Sequence, residues 1–275
     1  MSKRQNDEYK IDDKETAIPF TARLMAYYRA HESKSKDPLL NDPFAALLAG
    51  DLSEYVAKHR YSAGRRDYSV LRSYFIEKNP LHAWCQNYSL SQIVMLGAGL
   101  DTRAYRYQPL SKGNHTLFEV DFNTIHQYKE EKLEGVNPLC RLIRVSADLS
   151  KKDWIHILKQ KGFSETIPTF WILEGLIYYI ERDQTISLLN EMASISIQGS
   201  QFFADVCVPA LAEANFGPFM KFFQWGLNLQ NVPSFFAEQG WKVTESAYAD
   251  KYDQGRDVGQ KALIFIQGEV LPLHT

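Results

Sequence analysis

One stretch limits the possible folds more than any other: Gln92-Ile93-Val94-Met95-Leu96-Gly97-Ala98-Gly99-Leu100-Asp101-Thr102-Arg103. Apolar residues run unbroken into Gly-Ala-Gly, and an Asp-Thr pair follows. Such a run, bounded by glycines, reads as a short strand buried on both faces in a parallel sheet. Gly97 and Gly99 carry no Cβ, so the backbone beyond the strand can turn sharply and approach a ligand. Roughly twenty residues on, a second apolar run, Thr116-Leu117-Phe118-Glu119-Val120-Asp121, ends in an acid. Strand, glycine turn, helix, strand and acid together make a nucleoside-binding layout, with the acid accepting from the ribose hydroxyls.

Two kinds of ligand compete for that layout. A dinucleotide fingerprint requires Gly-x-Gly-x-x-Gly, with pyrophosphate on the helix N-terminus. Here Thr102 takes the third glycine position, and Asp101 sets a negative charge where a pyrophosphate would lie. S-adenosylmethionine (SAM), with a sulfonium, an ammonium and no phosphate, suits that position better. The expected ligands are SAM and its product S-adenosylhomocysteine (SAH), and not NAD.

Residues 92–103 and 118–122 resemble the glycine motif and the Glu-Val-Asp-Phe motif of the leucine carboxyl methyltransferase family of SAM-dependent methyltransferases. The opening Thr-Ala, Arg29-Ala30, Asp37-Pro38-Leu39 and Asp42-Pro43-Phe44 are similar to that family's start. The resemblance implies an α/β class I methyltransferase fold: a Rossmann-like, doubly wound sheet of seven strands, the last antiparallel, behind an extra N-terminal helical region. It also implies a cofactor site made of Gly97, Ala98, Gly99, Asp101 and Thr102 in the turn, with Asp121 and Phe122 after the second strand. Arg72 precedes Ser-Tyr-Phe, which keeps the family's Arg-x-Tyr-Phe, and the resemblance assigns it the methionine carboxylate of SAM. By spacing alone an Arg on an apolar helix face either snorkels outward or pairs with an acid or a ligand carboxylate. Arg23, a further cofactor-site candidate by the resemblance, stands where the family's phosphatase-methylating members have a lysine.

Two further acids follow expected strand ends. Asp148-Leu149 after the third strand is either an adenine site, carboxylate to the amino group and leucine to the ring, or a cap for a helix beginning near Lys151. The resemblance favours the adenine site. Glu174 closes the apolar run 169–173, and a buried carboxylate there needs a sulfonium, an ammonium or an arginine as partner. The segment beginning at Glu174 is similar to the family's Glu-Gly/Cys-x-x-x-Tyr motif, which implies contact with the methionyl part of SAM and makes Glu174 a candidate catalytic residue. Tyr178 is the candidate on the acceptor side.

The remaining pattern predicts a mobile tail over 1–16 and one methyltransferase domain over 17–275, divided into a helical cover (17–90) and a Rossmann-like core (91–275). Helices are expected over 17–30, 43–49, 70–87, 102–107, 123–133, 181–197, 215–229 and 233–238. Strands are expected over 92–96, 116–121, 139–145, 169–173, 201–206, 241–246 and 262–267. Asn123 is a plausible cap for its helix. The basic segment 58–66 reads either as a solvated loop or, through the resemblance, as a lid near the substrate entrance. Aromatics over 215–229 are either core or the lining of an acceptor pocket.

Composition narrows the partners. With 31 basic and 33 acidic residues, net charge −2, no global field draws nucleic acid. No stretch reaches the roughly 18 apolar residues of a membrane span. Cys85, Cys140 and Cys207 fit neither a disulfide framework nor a metal set, and a cytoplasmic chain without metal is expected. His82 and His126 lie on helices away from the strand-end acids, so a general base is not evident. The reading is O-methyl transfer to a carboxylate or hydroxyl of a small-molecule acceptor. Thr-Arg-Ala-Tyr-Arg after the glycine motif and Arg29-Ala30 look like the family's bacterial, secondary-metabolite members. The alternatives are a protein C-terminal leucine carboxyl methyltransferase and a non-catalytic SAM-binding protein.

Overall fold

The computed structural model describes residues 20–52, 63–214, 222–258 and 261–272. The expected tail over 1–16 and most of the basic segment 58–66 lie outside them. Among the described residues four helices come first: α1 (Phe20–Glu32), α2 (Ala45–Ala49), α3 (Ala63–Lys78) and α4 (Pro80–Asn87). Next are β1 (Leu90–Leu96), α5 (Arg103–Arg106), β2 (Asn114–Asp121), α6 (Asn123–Lys132), β3 (Arg141–Ser146), α7 (Trp154–Gln160) and β4 (Thr169–Leu173). The chain continues through α8 (Arg182–Ser194), β5 (Gln201–Cys207), α9 (Pro209–Glu213), α10 (Val232–Ala237), β6 (Trp241–Tyr248) and β7 (Leu263–Val270).

The seven strands form one sheet in the order β3-β2-β1-β4-β5-β7-β6. β1 to β5 run parallel, and β7 is antiparallel to both β5 and β6. Strand order reverses between β1 and β4, which opens a crevice where their carboxyl ends diverge, the place such sheets bind ligands. The expected fold class is the observed one.

Period-two alternation divides the core between the two sheet faces. Ile93 and Met95 point with Phe170, Phe203 and Phe265 toward Leu71, Phe75 and Trp84 of α3 and α4. Val94 and Leu96 point with Trp171 and Phe202 toward Trp154, Leu189 and Met192 of α7 and α8. Thus α3 and α4 are a layer of the core itself, joined by Ala26 of α1 and Leu48 of α2, while Leu24 and Tyr28 of α1 form a smaller cluster with Leu40, Leu52 and Val70. The three cysteines are free, and burial pushes each thiol up to about 12, so none is a ready nucleophile. Among the described residues no helix is long and apolar enough to cross a membrane.

Four local expectations are corrected. The helix expected over 70–87 is two helices, because Pro80 has no N–H and its ring clashes with the preceding turn; it sits in the first turn of α4 instead. Asn123 is the first residue of α6, not its cap, and its amide oxygen accepts from Ser146. The helix expected near Lys151 starts at Trp154. Residues 222–228 form no helix; 215–221 lie outside the described residues. There Trp225 is drawn out of a helical path by its indole N–H, which donates to the carbonyls of Ile177 and Ile180.

Phe75 joins α3 to the sheet, with its ring 4.9 Å from Phe265 and 6.0 Å from Phe203. Phe75→Ala is expected to cost about 3–5 kcal/mol. Urea unfolding should show a lower midpoint with an unchanged slope.

Candidate active site

The turn after β1 is held by the end of β2. Gly97 and Ala98 donate their N–H groups to the Val120 carbonyl, and Gly99 N–H donates to Asp121 Oδ2 at 2.7 Å. Asp121 Oδ1 accepts from the N–H of Phe122. Gly99 adopts φ +51°, and a Cβ there would point at Ala22 of α1, 3.7 Å away. Burial raises the Asp121 carboxyl above its ordinary range, against the pull of its two N–H donors. Each oxygen keeps acceptor capacity, so the carboxylate shapes the turn and still has lone pairs for a ligand hydroxyl. Beside it the Phe122 ring is 53 % exposed, an apolar face at the crevice edge.

The side chains of Asp101 and Thr102 turn the other way. Both Asp101 oxygens bind Arg103, one through the backbone N–H and one through Nη1, each at 2.7 Å. Thr102 donates to Asp42 and accepts from Arg106. The Asp101 charge, which favoured a cationic ligand in the sequence, is therefore met by an arginine of the same turn. Arg23 donates to the Ala49 carbonyl at the C-terminal end of α2. Arg29 donates to Leu100 at 2.6 Å and to Asp42 at 2.8 Å, which binds α1 to the turn.

Glu174 does not stand open beside Asp121 and Asp148. Its Oε1 accepts from Arg72 Nε (3.1 Å) and the Ser73 hydroxyl (2.8 Å), and its Oε2 from Arg103 Nη1 (2.7 Å). Burial alone would raise this carboxyl, but Arg103 and Arg72 bring it from 4.5 down to about 2. Of the partners open to it from sequence, the structure supplies arginines. Arg72 is buried and pairs rather than snorkels. Its Nη1 donates to Asp205 Oδ2 (2.8 Å) and to the Tyr178 hydroxyl (3.1 Å), while its Nη2 has no acceptor among the described residues. Gly175 lets this happen: it adopts φ +65°, and a Cβ there would lie 2.9 Å from Arg72 Nη1 and 3.0 Å from Nη2.

Tyr178 accepts from Arg72 and donates to Asp205, and burial followed by the Asp205 charge raises its hydroxyl well above its ordinary value. It is a fixed donor and not a base. Phe223 packs edge-on against Tyr178 and Tyr179, whereas Phe222 is exposed. Asp148 sits half-buried after β3, with Oδ1 accepting from the Ser150 N–H and hydroxyl; those bonds lower its carboxyl. This is a local turn, not a helix cap, and Oδ2 faces no donor among the described residues. Leu149 packs at the margin of the α7–α8 side of the core. His126 is buried with Nε2 at the Val145 carbonyl, and burial lowers its pKa.

Asp205, Glu77 and Arg106 were not read as site residues from the sequence. Arg106 binds Glu77 through two nitrogens, at 2.6 and 2.9 Å, and Glu77 also accepts from Arg103. The signal for Asp205 was present: an acid within the apolar run Phe202-Phe203-Ala204-Asp205-Val206 needs a partner, as Glu174 did.

This sheet order, with its glycine turn after β1 and an acid closing β2, defines the class I SAM-dependent methyltransferase fold. The leucine carboxyl methyltransferase model matches residues 22–193, more than half of the chain, and the chain belongs to that family. A "putative S-adenosyl-L-methionine-dependent methyltransferase" of Saccharopolyspora erythraea is 29% identical over 259 residues, covering 86% of this chain and 87% of that protein. One of the same description from Mycobacteroides abscessus is 31% identical over 217 residues, 70% of this chain and 66% of its own. Among solved structures, a DUF574 family protein from Streptomyces avermitilis superposes with TM-score 0.65 at 15% identity, over 94% of this chain and 100% of that one. A "putative methyltransferase" from Thermobifida fusca gives TM-score 0.65 at 16% identity, over 95% and 97%.

The low pKa of Glu174 makes stability depend on acid. The contribution of its ion pairs is complete above pH 4.5, the ordinary value, and is lost as pH falls through about 2. Glu174→Gln is expected to cost about 3 kcal/mol near neutral pH, since it leaves two arginines short of a countercharge. Thermal melts of variant and wild type should converge as the buffer approaches about pH 2; a gap that persists there contradicts the assignment.

Proposed function

We propose that this chain transfers the methyl group of SAM to an oxygen of a small-molecule acceptor, a carboxylate before a hydroxyl, in a reducing cytoplasm. The observation that carries the SAM part is that Asp121, at the end of β2 and bonded to the glycine turn, and Arg72, bonded to Glu174 after β4, stand on either side of the carboxyl end of β1. On this reading Asp121 takes the ribose hydroxyls, and Phe122 and the Asp148-Leu149 turn take the adenine. Arg72 presents Nη2 for a carboxylate. The charges of the buried cluster agree: Arg29, Arg72, Arg103 and Arg106 are four cations against five acids, Asp42, Glu77, Asp101, Glu174 and Asp205. Among the described residues one negative charge is left over, which favours a sulfonium and an ammonium nearby.

When bound, SAM supplies a methyl group already activated for displacement by its sulfonium. The chain's task is then to fix the two reactants in line and keep water out, and positioning of this kind is worth roughly 7–11 kcal/mol. The turn donates shape, Arg72 fixes the amino-acid end, and Glu174 holds Arg72 and Arg103 in place. Proton removal is not among these tasks. Glu174, at about 2, takes no proton at neutral pH, and the Tyr178 hydroxyl is engaged on both sides. That arrangement supports an acceptor that arrives ionised, as a carboxylate does.

Calorimetry is expected to show binding of SAM and SAH and none of NAD. Asp121→Ala should weaken SAM binding by about 1–3 kcal/mol, the usual loss for a charged hydrogen bond, and Arg72→Ala should raise the KM for SAM; wild-type behaviour in both sinks the site. Incubation with methyl-labelled SAM and small-molecule pools tests the acceptor. Label released as methanol by alkali marks an ester and a carboxylate acceptor; alkali-stable label marks an ether.

A further inference from the structure

Asp205 has the most demanding environment in the crevice wall. It lies in β5 with its side chain fully buried. Its Oδ2 accepts from the Tyr68 hydroxyl at 2.6 Å, from Arg72 Nη1 at 2.8 Å and from the Tyr178 hydroxyl at 3.2 Å. Its Oδ1 accepts the N–H of Gly175 at 2.6 Å. Two of these donors come from α3 and two from the turn after β4, so a single carboxylate fixes both walls against the sheet. The Tyr68 ring also lies under the Arg72 guanidinium, 5.4 Å from its carbon. Glu174 holds only Arg72 Nε, and one bond leaves the guanidinium plane free to swing. The second bond, from Nη1 to Asp205, defines the plane and therefore where Nη2 points.

We propose that Asp205 is a positioning residue for the amino-acid end of SAM: it orients Arg72, and with it the Tyr178 hydroxyl, without touching the ligand. This inference rests on the assignment of SAM to the crevice. An asparagine in its place cannot do the same work. With its oxygen toward Gly175, its NH2 faces three donors; flipped, its NH2 faces the Gly175 N–H. Either way the charge opposite Arg72 is gone. In the first arrangement Nη1 also loses its Asp205 acceptor and the guanidinium turns; in the second the Gly175 N–H loses its acceptor and the turn that carries Tyr178 shifts. The adenosine half of the site, built on Asp121 and the glycine turn, has no bond to Asp205.

The test compares SAH with 5′-methylthioadenosine, which lacks the amino-acid end, by calorimetry on wild type and Asp205→Asn. SAH affinity is expected to fall about tenfold or more, the size of a lost charge-assisted hydrogen bond, while 5′-methylthioadenosine stays within about twofold. Loss of both ligands in equal measure by a folded variant means a merely structural role and overturns the proposal, as does no loss of either. If Asp205→Asn does not fold, Tyr68→Phe, which removes one Oδ2 donor and keeps the ring, should shift SAH alone and in the same direction; no shift, or an equal shift of both, overturns it. Wild-type protein that binds neither ligand defeats the SAM assignment itself. Wild-type protein that binds both, beside a variant that loses neither selectively, defeats only the role of Asp205.

Discussion

The crevice depends on buried ion pairs that link elements distant in sequence. Arg103, with no solvent exposure, reaches Asp101 in its own turn, Glu77 on α3 and Glu174 after β4. Arg72 reaches Glu174 and Asp205, and Arg29 and Arg106 both meet Asp42. Taking such charges out of water costs several kcal/mol per ion, and the pairing does little more than offset it. What the arrangement gains over an apolar one is direction. A leucine in place of Arg103 would fill space but would not hold the glycine turn, α3 and the β4 end in one fixed relation.

This separates two uses of acids that look alike in sequence. Asp121, Asp148 and Glu174 each close or follow a parallel strand, and the sequence reads them as three carboxylates on one ligand, for its ribose, its adenine and its methionyl part. In the structure Asp121 shares itself between backbone N–H groups and the crevice, and Asp148 spends one oxygen on its own turn. Glu174 spends both oxygens on arginines and serine. Two of the three acids thus keep acceptor capacity, and the third is committed to holding Arg72 and Arg103.

The fold was legible because its signals are local. Unbroken apolar runs ending in glycine or an acid mark buried parallel strands, and β4 was found with its observed bounds. The glycine turn was legible for the same reason. What was not legible is pairing. That Arg72 meets Asp205 joins residues 133 apart in sequence, and no spacing rule connects them. Arg103 is wholly buried through pairing of the same kind, since three acids from separate segments converge there. The aromatic stretch misled because helical recurrence of Phe and Trp says only that rings are buried on one side. Trp225 satisfies that with its indole N–H on two carbonyls and no helix.

The commitment of so many ionisable groups to scaffolding bears on the chemistry. A base must exchange its proton, so it needs a pKa near the working pH and room to move. Glu174 and Tyr178 have neither, and Asp205 has no room to move: each is pinned by two or more charged or phenolic partners. An enzyme that deprotonated its acceptor at these residues would have to break the contacts that shape its own cofactor site in every turnover. A reaction between an activated methyl group and an already ionised oxygen makes no such demand. Ionisable side chains can then be fixed permanently as struts, and rigidity at the crevice costs the catalytic cycle nothing.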